Sequence, residues 1–135
     1  LSLIKGISGA DSVMKENDAV RIGRVALPAS VWDTVHTGMQ QFAQNNSVLK
    51  NMGISVAGKT GTAQEAKNRP DHALFVGYAP CDQPQIAVAV RIANGYGSSN
   101  ATEVGKNIFE YYFDLKSPEE LLTGEAVQAD NTSTD

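Results

Sequence analysis

The pattern of apolar and polar positions along this 135-residue chain predicts short strands and one helix in its first third. An apolar run over residues 1–7 and an alternating run over 20–25 are typical of strands, with a polar loop over 11–18 between them. A helix is predicted next, with Ser30 as N-cap and Asp33 as an acid in its first turn. Its apolar stripe is formed by Val31, Val35, Met39 and Phe42, and Asn45-Asn46-Ser47 predicts its end.

The second half of the chain predicts a sheet followed by another helix. Three strands are expected over 54–64, 73–79 and 86–93, and turn residues at 80–84 predict that the last two form an antiparallel hairpin. Asn100 and Glu103 are spaced as a capping pair for a final helix. The apolar stripe of that helix is predicted to be Val104, Ile108, Tyr111 and Tyr112. The fold class is therefore α+β, an antiparallel sheet with packed helices.

Charge divides the chain into two parts. The formal net charge is -4, but residues 117–135 hold five acids and neither lysine nor arginine, so the body is nearly neutral. We therefore expect a folded portion over 1–116 and an acidic, flexible tail over 117–135. The body has no basic cluster, which argues against a nucleic-acid partner. The lone Cys81 excludes an internal disulfide and a multi-cysteine metal site, and no apolar run reaches the roughly 20 residues of a membrane span.

The segment Gly58-Lys59-Thr60-Gly61-Thr62 allows two chemical interpretations. Residues 53–60 formally match the phosphate-binding loop pattern G-x-x-x-x-G-K-[ST]. That loop must leave a buried strand and begin a helix, so that backbone N–H groups surround the phosphates. Here the preceding residues are polar, the loop interior is Ile-Ser-Val-Ala, and Pro70 limits any helix that follows. The context therefore argues against a phosphate loop.

The other interpretation places the segment on a strand that lines a serine acyltransferase cleft. Lys59 would supply positive charge that favours an anionic substrate and a deprotonated nucleophile. The hydroxyls of Thr60 and Thr62 can donate hydrogen bonds to a substrate carboxylate, and Gly61 lets a substrate approach the backbone. A backbone N–H at the strand edge can stabilise the oxyanion that develops. His72, at the start of the next strand, is expected to be a hydrogen-bonded strand-end residue rather than a catalytic one.

Several blocks of sequence together resemble the end of the transpeptidase domain of class B penicillin-binding proteins, which share a fold with serine β-lactamases. These blocks are Gly38-Met39, residues 57–64 (Ala-Gly-Lys-Thr-Gly-Thr-Ala-Gln), residues 75–80 (Phe-Val-Gly-Tyr-Ala-Pro), the strand at 86–92 and the final helix. The resemblance covers residues 1–113 and implies a partial β-lactamase/transpeptidase fold.

The family uses three motifs in the order S-x-x-K, S-x-N and K-T-G, and only the last is in its family context here. Ser2, Ser12 and Ser47 each begin a formal S-x-x-K, and Ser98 begins an S-x-N. In the family a large helical lobe separates the nucleophile from K-T-G, and too little chain precedes Lys59 for it. Ser98 lies on the wrong side of Lys59. All four are interpreted as chance matches, so the nucleophilic serine is expected outside this chain.

The resemblance implies a D,D-transpeptidase that cross-links peptidoglycan, with a D-Ala-D-Ala stem peptide as substrate and β-lactams as inhibitors. Lys59 and Thr62 would be catalytic, and Thr60, Gly61 and Thr62 would bind substrate. The remainder of the transpeptidase domain is an expected partner, and no cofactor or metal is expected. The parent protein would be anchored at the outer face of the bacterial cytoplasmic membrane by a helix outside these residues. A non-catalytic scaffold of a cell-wall synthesis complex is the alternative.

Overall fold

A computed structural model describes residues 6–8, 10, 14–16, 20 and 22–122 of the chain. In chain order its elements are β1 (Gly6–Ser8), β2 (Met14–Glu16), α1 (Ala29–Asn45), β3 (Ala57–Ala63), β4 (His72–Ala79), β5 (Ile86–Ile92), α2 (Ser98–Tyr112) and α3 (Pro118–Leu121). β1 and β2 form a small antiparallel ribbon. The other three strands form a separate sheet against which α1 and α2 pack.

The central sheet has the order β3-β4-β5, and both of its pairings are antiparallel. In its register Thr60 lies opposite Phe75, which in turn lies opposite Val90. This confirms the prediction of three antiparallel strands in one sheet, with each strand within a few residues of its predicted bounds. α+β is therefore the observed fold class.

β4 is the central strand, and its side chains alternate between the two faces of the sheet. Ala73, Phe75 and Ala79 are buried on the face against α2. On the opposite face the ring of Tyr78 contacts His36 of α1, with 5.6 Å between the ring centroids. Because successive side chains of a strand point to opposite faces, this alternation puts one helix on each side of the sheet.

The core between α2 and the sheet is built around one aromatic ring and three glycines. Phe75 is 1% exposed. A Cβ on Gly105 of α2 would lie 2.4 Å from the ring, and one on Gly58 or Gly77 would lie 2.7 Å from it. Glycine at these positions lets the helix and two strands approach Phe75 closely. The residues of α2 nearest the Phe75 ring are accordingly small, and the larger buried residues Phe109 and Glu110 come later in the helix.

Two predictions for the first third of the chain are wrong in part. Residues 22–25 form no strand and Ile22 is 91% exposed, because no neighbouring strand in the described part of the chain is available to pair with them. The predicted loop over 11–18 contains β2, which pairs with β1. The strand predicted over 1–7 meets β1 only at its last two residues, and residues 1–5 lie outside the described residues.

Both predicted helix caps are also wrong, although both helices exist. α1 begins at Ala29 after Pro28, so Ser30 lies inside the first turn and Asp33 lies beyond it. Pro28 is the N-cap residue of α1. A proline suits the start of a helix because it lacks an N–H and its φ is fixed. α2 begins at Ser98, and Asn100 instead donates from Nδ2 to the carbonyl of Gly95 at 2.8 Å. The end of α1 is confirmed: Asn46 is the C-cap.

The C-terminal segment returns along α2 and is held by charge pairs. The buried carboxylate of Glu110 lies 3.0 Å from Lys116 Nζ and 3.8 Å from Lys106 Nζ. Its Oε2 has no directed hydrogen bond among the described residues, so the contact with Lys116 is an ion pair. Ser117 and Glu120 then form a reciprocal capping box at the start of α3. The part of the predicted tail at 123–135 lies outside the described residues.

The described residues include no helix that is both long and apolar enough to span a bilayer.

Candidate active site

Lys59, Thr60, Gly61 and Thr62 lie in the middle of β3, which is paired with β4 on one side only in the described part of the chain. The backbone at Lys59 is extended and no helix begins there, so the phosphate-loop interpretation is wrong. An edge strand presents alternate N–H and C=O groups outward, which allows an extended substrate to pair with it. The segment thus occupies a rim of the sheet that is suited to binding a peptide.

Lys59 projects from the face of β3 on which α1 lies. Its side chain is exposed, and Nζ lies 5.6 Å from the ring centroid of Phe42. The same Nζ donates to the carbonyl of Thr60 at 2.7 Å. The aromatic face and the carbonyl oxygen both favour a cation, and together they hold the ammonium beside the strand. The arrangement places a positive charge next to the free edge.

Thr60 and Thr62 are half-buried and point to the other face of β3, where they lie opposite Phe75 and Ala73. Lys59 and the two threonines therefore alternate in direction along the strand. A bound molecule can contact Lys59 on one face and the two threonines on the other only if it lies along the edge of β3. The structure brings all four predicted site residues together on one short stretch of that edge.

Gly61 differs from the other glycine of the segment. A Cβ on Gly58 would lie 2.7 Å from Phe75, so Gly58 is required by the core. A Cβ on Gly61 would touch Leu74 at 3.6 Å, an ordinary van der Waals distance. Packing among the described residues therefore does not require glycine at position 61. Glycine at this position is consistent with close approach of a ligand to the backbone.

His72 forms two hydrogen bonds at the end of β4 that adjoins the end of β3. Its Nε2 lies 2.8 Å from Glu65 Oε2, and its Nδ1 accepts from the backbone N–H of Asn94 at 3.0 Å. The side chain is 10% exposed. The prediction of a hydrogen-bonded strand-end residue is confirmed, and the partners show that it connects two loops.

Sequence reasoning missed the aromatic contacts of α1. Phe42 was assigned to an apolar core stripe, yet its ring faces the ammonium of Lys59. Trp32 and His36 are in ring contact at 6.2 Å between centroids, and His36 continues to Tyr78 on β4. The spacing of four residues between Trp32 and His36 is the signal that could have indicated their contact.

Tyr78 lies near the end of β4, and Cys81 follows just beyond that strand. Burial raises the pKa of the Cys81 thiol, while a hydrogen bond with Ser55 acts in the opposite direction and Asp82 adds to the rise. Burial, with a smaller contribution from Cys81, also raises the pKa of Tyr78. Both groups are therefore neutral at physiological pH, and the thiol is a poor nucleophile.

Two of the four serines that begin a formal S-x-x-K or S-x-N lie within the described residues. Ser47 is exposed in the turn after α1, and Ser98 is the first residue of α2. Ser2 and Ser12 lie outside the described residues. Among the residues that the structure describes, no group of His, Cys, Asp or Glu could hold a metal ion.

Comparison with known proteins identifies a family that matches most of the chain. Residues 1–110 match the family model of the penicillin binding protein transpeptidase domain. The peptidoglycan D,D-transpeptidase PbpA of Mycolicibacterium smegmatis is 40% identical over 106 residues, covering 74% of this chain and 21% of that protein. Across the curated relatives, the chain spans 11% to 21% of their length.

Solved structures agree with this assignment. Pseudomonas aeruginosa PBP2 in complex with WCK 5153 is 36% identical, with a TM-score of 0.60 over 74% of this chain and 24% of that one. The imipenem acyl-enzyme complex of penicillin-binding protein A from M. tuberculosis is 25% identical, with a TM-score of 0.64 over 81% of this chain and 25% of that one. The sequence match and the shared sheet and helices lead to one conclusion: this chain belongs to the penicillin-binding protein transpeptidase domain family.

Proposed function

We propose that this chain is the K-T-G-bearing part of a D,D-transpeptidase that cross-links peptidoglycan stem peptides and is acylated by β-lactams. The observation that carries the proposal is the position of Lys59-Thr60-Gly61-Thr62 on the edge strand of the sheet in a member of this family. Relatives named as peptidoglycan D,D-transpeptidases, and a relative described as an imipenem acyl-enzyme, support it.

In the proposed reaction a serine outside these residues attacks the carbonyl between the two D-alanines of a stem peptide. A bond forms between the serine oxygen and that carbonyl carbon, and the terminal D-Ala leaves with a proton as the acyl-enzyme forms. An amine of a second stem peptide then displaces the serine, which regains its proton. A β-lactam enters the same sequence because the serine opens its strained amide.

Each residue of the segment has a defined part in this proposal. The ammonium of Lys59 favours the anionic substrate and lowers the cost of deprotonating the serine. The hydroxyls of Thr60 and Thr62 donate to the substrate carboxylate, and Gly61 leaves space for the substrate backbone. The N–H of Thr62, on the same edge strand, stabilises the oxyanion.

The proposal extends to location and assembly. The protein acts at the outer face of the cytoplasmic membrane, anchored through a segment outside these residues, and contributes to cell shape through wall synthesis. The remainder of the transpeptidase domain packs on this chain to complete the cleft between β3 and the helical lobe.

The experiment is a product assay on the complete protein that carries this chain. The protein is incubated with a stem peptide ending in D-Ala-D-Ala and an amine acceptor, and D-Ala and cross-linked dimer are quantified by chromatography. We expect both products from the native protein and neither from a Lys59→Ala variant of equal thermal stability. Native protein that binds peptidoglycan without releasing D-Ala would instead indicate a non-catalytic scaffold.

A further inference from the structure

His72 connects three parts of the fold that meet at the end of the motif strand. It is the first residue of β4 and lies opposite Ala63, the residue immediately after Thr62. Through Nε2 it contacts Glu65 in the loop that follows β3, and through Nδ1 it accepts from the backbone of Asn94 after β5. One side chain therefore links the segments that leave β3 and β5.

The two bonds assign the tautomer of the ring. The backbone N–H of Asn94 can only donate, so Nδ1 is unprotonated and acts as an acceptor. Nε2 then carries the proton and donates it to the Glu65 carboxylate, a charge-assisted bond at 2.8 Å. Both ring nitrogens therefore have a hydrogen-bond partner. Turning the ring over would remove both nitrogens from those partners.

The two side chains of this ion pair differ in exposure, which limits what the pair contributes to the stability of the whole fold. The His72 side chain is 10% exposed, whereas the Glu65 side chain is 64% exposed. A bond to an exposed carboxylate adds little to the stability of the whole fold. Its effect is confined to the residues it restrains, which here are those immediately after Thr62.

We infer that Glu65 and His72 form a clasp that positions the end of β3, and with it the backbone of Thr62, for the acylation step. The inference rests on the proposed function, in which the Thr62 N–H stabilises the oxyanion. His72 and Glu65 are positioning residues that act through Thr62 and do not touch the substrate. A donor displaced by a fraction of an ångström loses much of its effect on a transition state while ground-state binding changes less.

The test measures acylation of the complete protein by a fluorescent penicillin in stopped-flow or quenched time courses. Glu65→Ala removes the acceptor for Nε2–H, whereas Glu65→Gln keeps an amide oxygen at the same place. Lys67→Ala, an exposed residue of the same loop, is the matched control. We expect Glu65→Ala to lower the rate constant of acylation by roughly three- to tenfold, while Glu65→Gln and Lys67→Ala stay within about twofold of the native rate.

Rate and amplitude distinguish the explanations. The labelled amplitude reports the folded fraction, and we expect it to remain complete in Glu65→Ala, with an unchanged melting temperature. A native acylation rate in Glu65→Ala would overturn the positioning role and leave the proposed function intact. The same would follow if Glu65→Gln were slowed as much as Glu65→Ala. Reduced amplitude at an unchanged rate would assign Glu65 to folding, which also overturns it. Failure of the native protein to be labelled would overturn the proposed function and the clasp with it.

Discussion

At the scale of single residues, the two glycines around Lys59 have different reasons to be glycine. Gly58 faces Phe75, and a Cβ there would collide with the ring at 2.7 Å. Gly61 has room for a Cβ against Leu74 and needs none of the conformational freedom of glycine for packing. The sequence alone placed both in one motif, because letters do not distinguish a glycine required by the core from one that leaves space outside it.

Gly61→Ala separates these two roles. We expect the variant of the complete protein to fold with an unchanged or slightly higher melting temperature, because the new methyl group meets only an ordinary contact. Acylation by penicillin should fall by roughly tenfold or more, since the methyl group displaces the ligand from the strand. The measurements are thermal unfolding and a time course of fluorescent penicillin labelling. Native labelling kinetics would show that no ligand approaches the strand at this position.

Lys59, Thr60 and Thr62 should contribute unequally to acylation. Thr60→Val and Thr62→Val each remove one hydroxyl that, in the proposed function, donates to the substrate carboxylate, so each should weaken acylation by about 1–3 kcal/mol. Lys59→Ala should cost more, because it removes a full charge from the edge. Second-order acylation constants of the three variants give these values directly. If all three variants had the acylation constant of the native protein, the segment would not be part of the site.

At the scale of elements, the sheet could be predicted from sequence and the helix faces could not. The strands were recognisable because an apolar run and turn residues specify a buried hairpin locally. In α2 every residue of the predicted stripe is at least 38% exposed, namely Val104, Ile108, Tyr111 and Tyr112. The buried face carries small residues instead, among them Ala101, Thr102 and Gly105. The sequence pattern predicted that the larger apolar side chains of α2 face the core. In the structure the helix instead packs small residues against the Phe75 ring.

The candidate site also has features that sequence could predict and features that it could not. Lys59, Thr60, Gly61 and Thr62 are contiguous, so one strand brings them together and sequence alone could propose them as a candidate site. The contact of Phe42 with Lys59 and the link of His72 to Glu65 and Asn94 depend on tertiary packing. Side chains distant in sequence meet only after α1 and the two loops have been placed on the sheet, so no local pattern identified them.

Gly105→Ala tests the packing of α2 on Phe75. The Cβ would lie 2.4 Å from the ring, so we expect a loss of about 1–3 kcal/mol in the free energy of unfolding. Gly38→Ala is the matched control, because Gly38 lies inside α1 with nothing within 4 Å of its Cβ position. That change should stabilise by about 0.5–1 kcal/mol through helix propensity. Urea unfolding of the 135-residue chain measures both, at a concentration low enough for the chain to be monomeric. Equal effects of the two substitutions would contradict this account of the core.

At the scale of the whole molecule, the two helices leave apolar surface uncovered. Val31, Trp32 and Val35 of α1 are each about 40% exposed or more, and so is Val76 on the same face of the sheet. The outer side of α2, with α3, adds a second apolar groove of about 380 Å³. Exposed apolar side chains grouped on two faces in this way are typical of surfaces that another chain segment or protein covers.

The 135-residue chain by itself should therefore self-associate. Light scattering across a concentration series is expected to show a mass that rises above that of the monomer. Val35→Lys should reduce this association, because it puts a charge on the exposed apolar face of α1. Gln44→Lys, at an exposed polar position of the same helix, should leave it unchanged. A monodisperse native monomer with a sharp thermal transition would show that the piece is self-sufficient.

The most direct test of the central claim is to locate the covalent bond that penicillin forms. The complete protein is acylated, digested, and mapped by peptide mass spectrometry, and the isolated 135-residue chain is treated in parallel. We expect one stoichiometric adduct in the complete protein, on a serine outside these residues, and none in the isolated chain. An adduct on Ser2, Ser12 or Ser47, or an unmodified complete protein, would contradict the account.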